Sequence, residues 1–236
     1  MYRTKSFLGR VRRSATLYLI VITIILYVLQ NASQLLFGGD FLLYYGAKIN
    51  AFIFAGQFWR FFTPVFLHGS LLHIGFNMYA LYSIGPSLEK RYGTRSFLLL
   101  YFFGGMFGNI FSFLFSVNIS LGSSTAIFGL IAAQAVYIYK NRALLGSAAN
   151  LMLRNVLMMI AINLVLGFSP GIDNWGHLGG LVGGFLFSWF AGPSYGISEN
   201  VFGENIVVRE SKRETIIIAG LFLFAIVLVL IRFALR

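Results

Sequence analysis

Residues 66–88 read FLHGSLLHIGFNMYALYSIGPSL, a stretch without a single Asp, Glu, Lys or Arg. About 20 helical residues cross a hydrocarbon core of roughly 30 Å, so this stretch is long enough to span a membrane. It nevertheless contains His73 and Asn77, which lie one helical turn apart on the same face. Polar side chains within a span are costly and often mark function. The stretch therefore predicts a membrane fold with a polar site inside it.

The rest of the chain is equally apolar. Hydrophobic residues make up 58% of the 236 residues and charged residues 11%, against about 25% charged residues in soluble domains. This composition excludes a soluble globular protein and predicts an all-α polytopic membrane protein. Hydropathy predicts seven spans, over residues 16–36, 66–88, 96–115, 124–139, 155–168, 175–190 and 216–235. We expect a basic N-terminal segment (1–14), a six-helix core (15–192), a polar linker (193–214) and a seventh transmembrane helix (215–236).

The basic residues predict the orientation. When the spans alternate, fourteen of the eighteen Lys and Arg residues fall on the side of the N-terminus. The positive-inside rule then predicts a cytoplasmic N-terminus and cytoplasmic linker, with the C-terminus outside. The net charge of +11 does not indicate a nucleic-acid partner, because the basic residues lie in short loops rather than on one face of a domain.

Three spans carry polar groups at one depth. The fourth span begins in LGSSTAIFG (121–129), and the sixth begins in NWGHLGGLVGG (174–184). With a rise of about 1.5 Å per residue, Asn77, Ser124 and His177 lie about 18, 24 and 22 Å from the inner boundary. These spans run in the same direction, so each group is also near the N-terminal end of its helix. The sequence therefore predicts that a serine, two histidines and an asparagine converge in one layer.

Nucleophilic chemistry is the reaction that such a layer supports. A serine nucleophile needs a base within hydrogen-bond reach and donors for the oxyanion of the tetrahedral intermediate. His177 can supply the base for Ser124, while Asn77 and His73 can supply donors. Asp173 precedes His177 by one turn and could orient it as the acid of a triad.

Simpler roles are open for each residue. Ser124 could be a helix N-cap, His73 and Asn77 could form an interhelical hydrogen-bonded pair, and His177 could be a packing histidine. A metal site would need closely spaced ligands, yet no carboxylate shares the layer of the histidines and the chain has no cysteine. We therefore expect no metal and no cofactor.

Glycines recur every four residues along the sixth span, at Gly176, Gly180 and Gly184. Small residues at this spacing let two membrane helices approach closely. We expect this face to pack against the fourth span and to bring His177 towards Ser124.

Four segments taken together resemble the rhomboid intramembrane serine proteases, in order and spacing. They are WRFFTPVFLHGSLLHIGFN (59–77), LEKRYG (88–93), GSSTAIFG (122–129) and GHLGGLVGG (176–184). The resemblance implies a six-helix core in which Ser124 is the nucleophile and His177 the general base, without a third acid. It also implies an oxyanion hole formed by Asn77, His73 and the Ser124 backbone N–H.

The resemblance extends to the flanking regions. It implies that Trp59 and Arg60 belong to an outer loop lying in the membrane, where the residue types alone favour interfacial anchors. It places Glu89 and Arg91 in a structural network at the inner end. The helix after the linker is similar to the six-plus-one arrangement of some members.

Three positions near the nucleophile need separate consideration. Thr125 stands where the family often has Gly, and Phe128 where a Tyr often stacks on the histidine. Ser123 is a competing nucleophile, although the spacing from Gly122 to AIFG favours Ser124.

The function implied is an endopeptidase that cleaves single-span membrane proteins near the outer face, in a bacterial cell membrane. Its partners would be transmembrane substrates and the lipid bilayer. One alternative is an inactive member that binds transmembrane helices for quality control. A transporter is a third class, but transporters usually show repeats or polar half-helices near the midplane, and the chain shows no repeat.

Overall fold

The computed structural model describes residues 14–199, 205–209 and 214–235. The predicted basic segment 1–14 therefore lies outside the described residues, except for Ser14. Part of the linker and the final residue lie outside them as well.

The described chain is built mainly from seven long helices. These are α1 (Ala15–Phe37), α4 (Leu71–Tyr92), α5 (Thr94–Phe115), α6 (Ser124–Lys140), α8 (Ala148–Leu166), α9 (Asn174–Ala191) and α10 (Glu214–Ala234). Shorter helices are α2 (Phe41–Gly46), α3 (Asn50–Phe54) and α7 (Arg142–Leu145), with two 3₁₀ turns at Phe58–Phe61 and Thr63–Phe66. Strands β1 (Tyr195–Glu199) and β2 (Asn205–Arg209) form an antiparallel hairpin within the predicted linker. The all-α polytopic fold is confirmed, with this hairpin as an addition.

Two predicted span boundaries differ from the helices. The second span was expected from residue 66, whereas α4 begins at Leu71 because Ser70 caps it by accepting a hydrogen bond from the His73 N–H. The fifth span was expected from residue 155, whereas α8 begins at Ala148. This helix continues through Arg154, which is exposed and so does not interrupt the apolar contacts.

Four of the described helices are long and apolar enough to cross a membrane by length and composition: α1, α5, α8 and α10. The other long helices are α4, α6 and α9. They are the ones that carry the polar candidates His73, Asn77, Ser124 and His177. The candidate site residues thus lie on the long helices that are not among these four, although α1 and α5 also bury polar side chains such as Gln30 and Asn109.

The centre of the bundle is formed by α5, α6 and α9. Of the most apolar 18 residues of α5, 72% are buried, compared with 11% for α8. Gly104 of α5 and Gly129 of α6 meet backbone to backbone, since a Cβ on Gly104 would lie 3.1 Å from the Gly129 Cα. Close packing through small residues therefore holds the central helices together.

Glu89 joins three helices at the end of α4. Its carboxylate accepts hydrogen bonds from the backbone N–H groups of Ala15 (2.8 Å) and Thr16 (3.0 Å) at the start of α1. It also accepts from the hydroxyls of Ser14, Thr16 and Thr94. A carboxylate at a helix N-terminus satisfies unpaired amides and complements the helix dipole. Glu89 therefore caps α1 from another helix.

Arg91 makes structural contacts at the end of α4, whereas Arg60 has a different environment from that expected. The Arg91 guanidinium lies over the Tyr137 ring, 4.7 Å from its centroid, so Arg91 contacts α6 rather than sharing the hydrogen bonds of Glu89. Arg60 is only 1% exposed and donates to the carbonyl oxygens of Ala47 and Tyr44. The interpretation of Arg60 as an interfacial anchor is therefore wrong: its fork of donors holds the outer loop together from within.

Candidate active site

His73 and Asn77 lie against the turn that leads into α6. The Asn77 Nδ2 donates to the His73 carbonyl oxygen at 3.1 Å, across one turn of α4. A Cβ on Gly122 would lie 2.7 Å from His73 Nε2 and 3.7 Å from Asn77 Nδ2. Gly122 has a φ of 117°, which a larger residue rarely adopts. The absence of a side chain here lets both predicted donors approach the backbone two residues before Ser124.

The segment before α6 is fixed by Lys48 of the outer loop. Lys48 and Ser120 exchange backbone hydrogen bonds, and the Lys48 Nζ donates to the carbonyl oxygens of Ser116 and Asn118. Burial lowers the pKa of Lys48 to about 8, so the amino group remains largely protonated at neutral pH. The Gly122 N–H donates to the Pro64 carbonyl oxygen at 2.9 Å. The approach to α6 is therefore held from two directions.

Ser124 is the first residue of α6 and is half-buried. The cap position belongs to Ser123, so Ser124 is not the N-cap. The first amides of a helix have no partner within it and lie at the positive end of the helix dipole. Ser124 thus combines partial access with a backbone environment that stabilises negative charge.

Ser123 is committed to structure. It is fully buried, its Oγ donates to the Val65 carbonyl oxygen at 2.9 Å, and its backbone N–H points to His68 Nε2 at 3.4 Å. A hydroxyl without access to a substrate is a poor nucleophile. Between the two serines, the geometry favours Ser124.

His177 lies on the same side of α6 as Ser124. Its ring stacks on Phe128, with centroids 4.2 Å apart and planes inclined by 15°. Phe128 follows Ser124 by four residues, so the two side chains project from one face of α6. Within the described residues, His177 Nδ1 has no hydrogen-bond partner. The aromatic ring expected at this position is present, and it fixes the plane of the imidazole.

Glycines bring α9 onto α6, as the spacing predicts. A Cβ on Gly180 would overlap the Thr125 carbonyl oxygen, and one on Gly184 would overlap the Gly129 carbonyl oxygen. The Thr125 side chain is also part of this contact, because its Cγ2 would lie 3.1 Å from a Cβ on Gly176. Thr125, the residue after Ser124, therefore packs between α6 and α9.

Asp173 caps α9. Its Oδ1 accepts the Gly176 N–H at 3.1 Å. Among the described residues, no hydrogen bond joins its carboxylate to the imidazole of His177. The carboxylate thus fills the role of an N-cap rather than orienting the base.

Gln30 of α1, which the sequence analysis did not single out, supports the site through His68. The Gln30 Oε1 accepts the His68 N–H at 3.1 Å, and its Nε2 donates to Asp40 (2.8 Å) and to the His68 carbonyl oxygen (3.4 Å). The His68 ring in turn lies edge-on to His73, with centroids 5.0 Å apart. The sequence signal that could have identified Gln30 is its position in an apolar span, LYVLQNAS, because a polar side chain within such a span rarely lacks a partner.

No group of three or more His, Asp or Glu side chains within the described ranges is arranged to hold a metal ion. The candidate residues therefore offer a hydroxyl, two imidazoles and an amide; within the described residues, no hydrogen bond joins Ser124 to His177.

Comparison with known proteins shows the family of the chain. A family model described as "Rhomboid domain" matches residues 55–194. The chain is 40% identical over 168 residues to rhomboid protease GluP of Bacillus subtilis, covering 70% of this chain and 32% of GluP. It is 29% identical over 204 residues to rhomboid protease AarA of Providencia stuartii, covering 77% of this chain and 73% of AarA. It is 33% identical to rhomboid-like protease 1 of Toxoplasma gondii, covering 73% and 62%. The chain spans about a third of the length of GluP and of the plant protein RHOMBOID-like protein 9.

Proposed function

Because the chain belongs to the rhomboid family, we propose that this multi-pass membrane protein is an intramembrane serine endopeptidase. Its substrates would be single-span membrane proteins, cleaved near the outer face. The names of relatives such as GluP and AarA, both called rhomboid proteases, support this activity.

In the proposed mechanism Ser124 Oγ attacks the carbonyl carbon of the scissile peptide bond while His177 accepts its proton. The resulting oxyanion accepts hydrogen bonds from the Ser124 N–H, Asn77 Nδ2 and His73. His177 then donates the proton to the leaving amine, and the acyl-enzyme forms. A water molecule, deprotonated by His177, hydrolyses the ester and regenerates Ser124.

One observation carries this proposal: His177 stacks on Phe128, which shares a face of α6 with Ser124. Because Asp173 caps α9, the site is proposed to work as a dyad. The stacked ring would then orient the base, a task that a carboxylate performs in a triad.

The proposed arrangement in the membrane follows the charge pattern. Residues 15–192 would form the catalytic core and residues 215–236 an added helix, in a bacterial cell membrane. The basic N-terminus would be cytoplasmic, and the site would open towards the opposite side.

Cleavage of a helical substrate in liposomes tests the proposal. Wild type and Ser123→Ala should cleave the substrate and be labelled by a fluorophosphonate probe, whereas Ser124→Ala and His177→Ala should show neither property. The two losses should not add, because a nucleophile and its base act as a unit. Turnover in Ser124→Ala, or labelling at Ser123, would contradict the assignment. Substrate binding without cleavage by the wild type would instead indicate a non-catalytic helix-binding protein.

A further inference from the structure

An apolar groove separates α8 from α9 along the surface of α6. Its volume is about 560 Å³, and its walls include Ala135 of α6, Leu157 of α8 and Phe185 of α9. This volume lies within the roughly 300–1,000 Å³ of ligand pockets. Only Ala149 and Val156 of α8 are buried, so the groove lies beside the most loosely packed part of the core.

One end of the groove has the composition of a membrane interface. Trp189 and Tyr139 stack there, with ring centroids 5.9 Å apart. Aromatic residues with a polar atom favour the level of lipid headgroups. This end of the groove therefore has the residue types that are found where an acyl chain meets its glycerol group.

Two basic side chains contact the aromatic residues of the same end, and a third lies on α8. The Arg142 guanidinium lies over the Tyr139 ring at 4.4 Å and donates to the Tyr139 carbonyl oxygen. Lys140 Nζ donates to the Trp189 carbonyl oxygen, and Arg154 is exposed on α8 next to Leu153, which lines the groove. The chain has no Asp or Glu between residues 90 and 172. The positive charge contributed by these helices is therefore not offset within them.

We propose that this groove binds an acyl chain of an anionic phospholipid, whose phosphate lies against Arg142 and Arg154. The walls offer an acyl chain only apolar and aromatic side chains, and basic clusters between membrane helices recognise anionic headgroups. Arg142 uses one N–H on Tyr139, so its other donors are available for phosphate oxygens. The occupant is a lipid rather than a substrate helix, because a volume of about 560 Å³ holds only about one turn of a helix that is about 10–12 Å across.

The test uses Trp189 as the reporter. The chain has three tryptophans, so Trp59→Phe with Trp175→Phe leaves Trp189 alone. This protein is reconstituted in phosphatidylcholine vesicles that contain increasing fractions of brominated phosphatidylglycerol or brominated phosphatidylcholine. Quenching of Trp189 should saturate at a several-fold lower fraction of the anionic lipid.

Variants and salt then distinguish recognition of the lipid headgroup from binding of the acyl chain. Arg142→Ala with Arg154→Ala should remove the preference for the anionic lipid. Ala135→Phe should fill the groove and reduce quenching by both lipids, whereas Ala161→Phe, on the exposed side of α8, should not. High salt should weaken the preference in the unaltered groove, because it screens the headgroup charge. The salt measurement needs no substitution in the groove, so a folding defect cannot account for its result.

Equal quenching by the two lipids would overturn the proposal, because Trp189 would then contact only ordinary surrounding lipid. A preference that survives both the arginine substitutions and high salt would overturn it too. Relief of quenching by an unlabelled transmembrane peptide would assign the groove to a protein helix instead. None of these measurements depends on proteolysis, so their failure is distinct from failure of the proposed activity.

Discussion

The imidazole of His177 lies flat on the phenyl ring of Phe128, with centroids 4.2 Å apart and an interplanar angle of 15°. Within the described residues, His177 Nδ1 lacks a hydrogen-bond partner. The orientation of the imidazole therefore depends on packing against an aromatic face.

Removing the Phe128 ring should impair His177 as a base, although the histidine itself is unchanged. We expect Phe128→Ala to lower the rate of substrate cleavage by around 10²-fold, since a displacement of about 1 Å has that effect on a positioned pair. Phe128→Tyr keeps the ring and should retain most activity. Liposome cleavage assays on both variants check this. Comparable activity in Phe128→Ala and wild type would show that the stack does not position His177.

The contact between α9 and α6 leaves no room at Gly180. Even Gly180→Ala places a Cβ on the Thr125 carbonyl oxygen, so the helices must separate, and we expect most of the activity to be lost. Gly75→Ala is the matched control. Gly75 is exposed on α4 and has nothing within 4 Å of its Cβ position. Activity should be measured on variants that are confirmed to insert into the membrane. Equal activity in Gly180→Ala and Gly75→Ala would mean that Gly180 does not set the distance between α9 and α6.

Asn77 should contribute to turnover rather than to insertion. Loss of one oxyanion donor typically lowers turnover by about 10²–10³-fold, so Asn77→Ala should be slow but measurable. Asn163→Ala is the matched control, because Asn163 on α8 donates to the carbonyl oxygen four residues earlier, as Asn77 does. Steady-state kinetics should show the loss only in Asn77→Ala. Similar turnover in both variants would exclude Asn77 from the oxyanion hole.

Asp173 should matter for stability rather than for the base. Asn is as good an N-cap as Asp, so Asp173→Asn should cleave at close to the wild-type rate. Asp173→Ala loses the bond to the Gly176 N–H and should lower the free energy of unfolding by about 1 kcal/mol. Thermal unfolding in detergent measures the second effect. If Asp173→Asn loses as much activity as His177→Ala, the site is a triad.

Gln30 should act on the site through His68. Gln30→Leu leaves the buried N–H of His68 without its partner, which costs about 1–3 kcal/mol, and it removes a support of the backbone that carries the ring next to His73. We expect slower fluorophosphonate labelling of Ser124, measured well below the unfolding temperature. Asn31→Ala, one residue away on the exposed side of α1, should label normally. An unchanged labelling rate in Gln30→Leu would limit Gln30 to a role in stability.

Apolar runs and the spacing of glycines were sufficient to predict the seven long helices, apart from two boundaries, and the contact of α9 with α6. Both features are local in the sequence, and the membrane imposes strict limits on them. The start of α4 is less local, because it depends on Ser70 accepting a hydrogen bond from His73.

The polar partnerships could not be predicted from this one sequence. Gln30 binds the backbone of a residue 38 positions away, and nothing in an apolar span identifies a partner at that distance. Arg60 illustrates the same limit, because its partners are carbonyl oxygens, which every residue possesses. Hydropathy therefore identifies polar side chains within apolar segments, but it does not identify their hydrogen-bond partners.

The cap that Glu89 places on α1 has a consequence for biogenesis. The amide of Ala15 is bound by a carboxylate 74 positions later in the chain, and synthesis proceeds from the N-terminus. When α1 enters the bilayer, the amides of Ala15 and Thr16 must bind water or lipid headgroups, because Glu89 has not yet been synthesised. A nascent chain that ends before α4 would therefore hold α1 in the membrane as a separate helix. Only after the last turn of α4 has been synthesised can Glu89 replace water or lipid headgroups as the hydrogen-bond partner of these amides.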